Sequence, residues 1–120
     1  MPRTSSTMVD LHTNAPEFSL PDSAGQMHGL QDAADAPAVL VAFICNHCPF
    51  VTHIADQLSD IARGWTKDGL AIFAIMSNDV ETHPADHPDK MATESEARSY
   101  TFPYLFDEDQ SVAKAFGAAC

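Results

Sequence analysis

Two kinds of apolar pattern alternate along this chain, separated by polar, turn-forming stretches. Ala38-Val39-Leu40-Val41-Ala42-Phe43-Ile44 is an unbroken apolar run rich in β-branched residues, which predicts a strand buried on both faces. Directly after it, Phe50, Ile54, Leu58, Ile61 and Trp65 recur at helical spacing and share one face of a helix from Pro49 to about Lys67, which Asp68-Gly69 breaks. Leu70 to Met76 is a second wholly apolar strand. Upstream, Phe18-Ser19-Leu20 and Met27-His28-Gly29-Leu30 flank Pro21 to Gly25 and predict a hairpin with a glycine-containing loop. Gln31 to Asp35 reads as a short helical turn closed by Pro37.

Past the second strand, Asn78 to Asp89 reads as an acidic, histidine-bearing loop with Pro84 and Pro88. Lys90 to Tyr100 predicts a helix whose apolar positions are Met91, Ala97 and Tyr100. Pro103 to Phe106 is a short strand, and Asp107-Glu108-Asp109 starts a helix with Val112, Ala115 and Phe116 inward and Gly117 at its end. Strand, helix, strand, helix, strand, helix implies an α/β fold of parallel strands with covering helices. Residues 1–14 read as a disordered N-terminal arm and residues 15–120 as the domain.

Composition narrows the function classes. A chain of 120 residues is one domain's worth of core. Seventeen acidic residues against six basic ones leave a net charge of -11, which argues against a nucleic-acid or anionic-membrane surface. Met1 to Asp10 is polar and lacks the apolar core of a signal peptide, and no apolar run approaches the ~20 residues of a membrane span. These features predict a cytoplasmic protein, where three cysteines read as reactive thiols, not as a disulfide framework.

The candidate chemistry is Cys45-Asn46-His47-Cys48-Pro49, set between the first apolar strand and the amphipathic helix. A Cys-x-x-Cys in that context reads as a dithiol redox site. Proline is tolerated at the first helical position, so Pro49 assigns Cys48 to the N-cap, with its sulfur toward the N–H groups of Phe50 and Val51. Those donors and the helix dipole favour a negatively charged sulfur, though a helix terminus supplies only ~0.3–1 kcal/mol, and up to ~2 kcal/mol when partly buried. His47 is the neighbour expected to add to it. Cys45, at the strand exit, is the natural partner for a short-loop disulfide.

Two metal readings stand beside the redox one. Cys45 and Cys48 could form half of a zinc site with His83 and His87, at a separation much longer than finger spacing. His83, Asp86, His87 and Asp89 could also hold a divalent cation, although Pro, Asp and His in alternation more often make a solvated connection. The competing function class is accordingly a binding protein that uses the thiols to hold copper, zinc or haem-related cargo without turnover.

Several segments resemble one known group. Ala15-Pro16-Glu17-Phe18-Ser19-Leu20, Val39 to Phe43 leading into Cys45-Asn46-His47-Cys48-Pro49-Phe50, Ser77-Asn78-Asp79, Phe102 to Asp107 and Ala113 to Gly117 are similar to the thioredoxin-like superfamily. The likeness is to its peroxiredoxin-like branch, the alkyl hydroperoxide reductase/thiol-specific antioxidant (AhpC/TSA) domain. It implies a three-layer α/β/α sandwich with a central mixed, largely parallel sheet. It also implies an oxidoreductase with Cys48 as nucleophile, Cys45 as resolving thiol, and His47 and Pro49 in support, needing no cofactor. Substrates would be a protein or small-molecule disulfide, or a peroxide, with a thiol reductant such as thioredoxin.

Three departures from the group stand out. Cys48 falls where thioredoxins place the first cysteine of their motif, and Val51 where they place the second. Cys45 takes the threonine position of the peroxiredoxin Thr-x-x-Cys. Ala42 takes the place of a buried acid. The resemblance further implies that this chain stops before a cis-proline turn, a last hairpin and a last helix, leaving a sheet edge uncovered. Cys120 would then approach Cys48 as a possible additional resolving thiol.

Overall fold

The computed structural model describes residues 4–119. Its strands are β1 (Ser19–Pro21), β2 (Met27–Gly29), β3 (Val39–Phe43), β4 (Ala71–Met76) and β5 (Tyr104–Phe106). Its helices are α1 (Pro49–Lys67), α2 (Pro88–Ala97) and α3 (Ser111–Phe116), with single 3-10 turns at Leu30–Ala33 and Pro84–Asp86. β1 and β2 form the antiparallel hairpin, with Ser19 opposite Gly29. Gly29 is needed there because a Cβ would sit 2.6 Å from the Phe18 carbonyl oxygen.

β3, β4 and β5 lie side by side in that order, all parallel, with Phe43 opposite Ile75 and Met76 opposite Phe106. An antiparallel bridge between Asp22 and Leu105 attaches the hairpin to β5, so the strands together are mixed but largely parallel. Side chains of β4 alternate between two cores, as a two-residue strand period requires. Ile72, Ala74 and Met76 pack with Ala62, Met91, Phe102 and Tyr104 on the side of α1 and α2. Phe73 and Ile75 pack with Phe18, Leu20 and Val112 on the side of the hairpin and α3. The result is a three-layer α/β/α sandwich.

Some expectations need correction. Both faces of β3 meet a core, Leu40 on the side of α1 and α2 and Val41 and Phe43 on the other, but its side chains are only half-buried and Val39 is exposed, because among the described residues β4 is its one strand neighbour. β4 holds the doubly buried place. An apolar run states how much a strand can bury, not whether it lies centrally.

The stripe Phe50, Ile54, Leu58, Ile61, Trp65 does share a face, but all of it except Leu58 is exposed, and Phe50 retains 69% of its surface. The inward residues of α1 are Ala55, Ser59 and Ala62. They lie one position, about 100°, round the helix from that stripe. Small side chains let the backbone of α1 approach β4 closely, and Ser59 Oγ donates to the Ser99 carbonyl at 3.0 Å. Large-residue periodicity therefore marked the flank of the contact instead of its centre. In α2 only Met91 is buried and Ala97 faces solvent; in α3 Val112 is buried while Ala115 is exposed.

Residues 4–14 carry no helix or strand. The early part of this arm passes the end of α3, where a Cβ on Gly117 would meet Thr7 Cγ2 at 3.9 Å.

Candidate active site

β3 ends at Phe43, but the Ile44 N–H still bonds to the Ile75 carbonyl at 3.0 Å, so the chain leaves the sheet only at Cys45. Four residues later Pro49 opens α1, as its fixed φ and missing N–H allow. Cys48 is the N-cap residue, extended at φ -65° and ψ 124°, and its carbonyl accepts from Thr52 N–H at 2.9 Å and Thr52 Oγ1 at 3.0 Å. Among the described residues, the Cys48 side chain makes no hydrogen bond to the first-turn amides of α1, so the backbone takes the expected capping position without the expected sulfur contact. Both cysteines are buried thiols, not joined in a disulfide.

The two residues between the cysteines are held from a distance by one carboxylate. Asp86, with no exposed surface, accepts the Asn46 backbone N–H at 2.8 Å through Oδ1. Through Oδ2 it accepts His47 Nδ1 at 2.6 Å and Asn78 Nδ2 at 2.9 Å. Asn46 is fixed at both ends of its side chain: Nδ2 donates to the Ala85 carbonyl at 3.0 Å, and Oδ1 accepts the Tyr104 hydroxyl at 2.8 Å. The His47 ring stacks on His83 with centroids 4.8 Å apart. A buried carboxylate with three N–H donors is adequately paired, whereas an unpaired one would cost several kcal/mol.

Burial pushes the Cys45 thiol up from its ordinary value. The backbone N–H groups of Cys48 and His47 pull against that rise, and the nearby Asp86 charge adds to it. Burial also drives the Tyr104 phenol far above its ordinary range, so it stays a hydrogen-bond donor. A cleft of about 360 Å³ opens onto this group, with Cys45, His47, Cys48, Asn78, Gln110 and Lys114 on its walls. Lys114 brings a cation from α3 into the wall of a strongly acidic protein.

The expected site residues Cys45, His47, Cys48 and Pro49 thus come together. Cys120 lies outside the described residues. Of the loop histidines, His83 meets the site only by stacking, and His87 pairs with Asp89 at its own helix start. Among the described residues, the one set with metal-ligand proximity is Cys45, His47 and Asp86, each with one candidate ligand atom within 4.8 Å of the others. His47 Nδ1 and Asp86 Oδ2 are 2.6 Å apart, however, while two ligands of a tetrahedral zinc stand about 3.3 Å apart. As arranged, the pair has the spacing of a hydrogen bond and not that of a coordination shell.

Asn78 and Tyr104 were not foreseen as site residues, Asp86 was considered only as a cation ligand within its loop, and Asn46 had no role assigned. Nothing periodic distinguishes Asp86 from the other acids of its loop. The available signal was that Ser77-Asn78-Asp79 and Phe102 to Asp107 belong to the family-like segments.

The sandwich with its motif at the β3–α1 junction is a thioredoxin-like fold. It matches the thioredoxin domain of a thiol-disulfide oxidoreductase from Bacteroides vulgatus with a TM-score of 0.72, at 15% identity, over 91% of this chain and 74% of that one. The chain belongs to the AhpC/TSA family, whose family model matches residues 11–120, and so to the peroxiredoxin-like branch.

Among individual proteins, it is similar to a crystal structure of a hypothetical protein from Sinorhizobium meliloti. That match has 46% identity and a TM-score of 0.95 over 98% of this chain. It is also 30% identical, over 96% of its length, to a protein from Mycobacterium tuberculosis named as a peroxiredoxin. The chain spans 64% of the first of these and 68% of the second.

Proposed function

We propose that the chain is a thiol-dependent oxidoreductase working through the Cys45–Cys48 dithiol. Cys48 attacks a disulfide and releases one thiol, leaving a mixed disulfide on its own sulfur; Cys45 then attacks that sulfur, releasing the second thiol and forming the Cys45–Cys48 bond. With a peroxide, Cys48 takes an oxygen to become a sulfenic acid, and Cys45 expels it as water. A thiol reductant of the thioredoxin kind restores both thiols. Pro49 sets the helix start that places Cys48, and His47 lies beside the pair, held by Asp86.

The observation that carries this reading is the pair of buried thiols at the α1 N-terminus, facing a cleft and bracketing two residues anchored by Asp86. Family membership and the thiol-disulfide oxidoreductase among the structural neighbours support it. The raised Cys45 thiol suits the resolving role, since it holds its proton while Cys48 reacts first.

Mass spectrometry of unreduced peptides after one equivalent of glutathione disulfide, and separately of hydrogen peroxide, tests the reading. A Cys45–Cys48 disulfide within one monomer is expected, with Cys48 the faster thiol toward iodoacetamide at mildly acidic pH. Preferential labelling of Cys45 would reverse the two roles. Oxidation without an intramolecular bond would end the dithiol reading.

A further inference from the structure

Two of the groups that restrain the motif, His47 and Asp86, also lie near its inner thiol. Cys45, His47 and Asp86 each place a polar atom within 4.8 Å of the other two. His47 commits Nδ1 to Asp86 at 2.6 Å, which leaves the second ring nitrogen as the proton acceptor. Asn46 N–H and Asn78 Nδ2 hold the carboxylate from other directions, and the stacked His83 ring limits rotation of the imidazole. A histidine oriented by a fully buried carboxylate, beside a buried sulfur, is arranged as a base with its orienting group.

We propose that His47, oriented by Asp86, is the general base that takes the proton from Cys45 when Cys45 attacks the Cys48 mixed disulfide. The proposal rests on the dithiol reading and adds the proton's route to it. Cys45 is the thiol that needs help: burial and the Asp86 charge both hold it in the S–H form, which is a poor nucleophile.

In the step, the Cys45 S–H proton passes to the imidazole, and the freed electron pair forms the Cys45–Cys48 bond. The bond between Cys48 and the substrate sulfur breaks, and its electron pair leaves on the substrate thiolate. The imidazolium then returns the proton to that thiolate. The protein dithiol is oxidised by two electrons and the substrate disulfide is reduced by two. Asp86 is a positioning residue: it orients the imidazole and stabilises the imidazolium.

The ionisable groups about His47 are Cys45 and Cys48 of the motif, Asp86 and His83 of the loop after β4, Tyr104 of β5 through Asn46, and Lys114 of α3 on the cleft wall. Burial keeps Tyr104 neutral, so Asp86 is the carboxylate among them.

The reduced chain is mixed with the aromatic disulfide dithiobis(nitrobenzoate), and nitrothiolate release is followed by absorbance while quenched samples are mapped by mass spectrometry. Attack by Cys48 gives a first release, and closure of the Cys45–Cys48 bond gives a second. At neutral pH the second phase is expected to slow by about 100-fold in both His47→Gln and Asp86→Asn. Its pH profile should change from a plateau above the imidazole range to a rate rising roughly tenfold per pH unit. The first phase should change far less, and added imidazole should restore the second phase of His47→Gln.

The His47 side chain is 36% exposed, so that variant keeps the test open if Asp86→Asn does not fold. An unchanged second phase in His47→Gln overturns the proposal. So does a slowed one that imidazole leaves slow with the profile unmoved, because that marks a purely structural role. If the wild-type chain forms no Cys45–Cys48 bond, the dithiol reading itself fails, and this inference fails with it.

Discussion

Asn46 shows how closely one residue's chemistry is specified here. Its backbone N–H, side-chain amide and side-chain carbonyl each meet a different group, from Asp86, Ala85 and Tyr104. Tyr104→Phe removes only the hydroxyl and leaves the Asn46 oxygen without its donor. A loss of about 1 kcal/mol in urea unfolding is expected.

The same phenol makes stability depend on alkaline pH. Its folded value is raised above the ordinary 10.0, so the native state holds the proton longer than the unfolded chain does. Its contribution is fully present below that ordinary value and is lost as pH rises above it toward the folded value. Wild-type stability should therefore fall above pH 10.0, and Tyr104→Phe should flatten that fall. Equal slopes in the two proteins would place Tyr104 in contact with water.

Among elements, α3 depends on a residue outside it. Asp107, fully buried, accepts the amides of Ala113 at 2.9 Å and Val112 at 3.3 Å, and the hydroxyl of Ser77 at 2.8 Å. It thereby satisfies the start of a helix whose own N-cap, Gln110, makes no side-chain cap bond and sits at φ 63°. Asp107→Ala should cost about 2 kcal/mol or more in urea unfolding, since it removes a cap and leaves buried donors unpaired. Asp109→Ala, at an exposed acid of the same turn, should change the midpoint much less. Similar effects from both would mean that α3 does not depend on the buried carboxylate.

The exposed stripe of α1 gives the opposite kind of test. Ile54→Lys should leave stability within about 0.5 kcal/mol of wild type, where a core isoleucine would cost several kcal/mol. A large loss would restore the stripe to the core.

These elements also show what is legible in a sequence. The boundaries of β1 to β5 and α1 follow from apolar run length, proline and glycine, because those signals act on the local backbone. Which face of α1 turns inward does not follow, since Ala55, Ser59 and Ala62 are chosen for closeness of approach and carry little hydrophobic signal. The cysteines are legible for the same local reason: strand, Cys-x-x-Cys and Pro49 are contiguous. Asp86 is not, because its identity as the buried acid depends on a loop conformation brought to the motif by β4.

At the scale of the whole molecule, the parallel order β3-β4-β5 brings these pieces together. Parallel strands that neighbour one another both end at the same edge of the sheet, so the motif after β3, the loop after β4 and the turn after β5 emerge side by side. The cleft forms there, with α3 returning to supply Gln110 and Lys114. The acidic surface leaves that cation distinctive on the cleft wall.

The long reach of the restraints has a consequence in time. Asp86 follows Asn46 by 40 positions and Tyr104 follows it by 58, so both cysteines are synthesised before the groups that will hold the turn between them. At synthesis rates of about 5–20 residues per second, roughly 3–11 s separate the appearance of Cys48 from that of Tyr104. For that interval the nascent chain carries a dithiol with neither clamp nor cleft. Its thiols then meet the oxidants and thiols of their surroundings with only the local chain to govern them, and selectivity begins when the later half arrives.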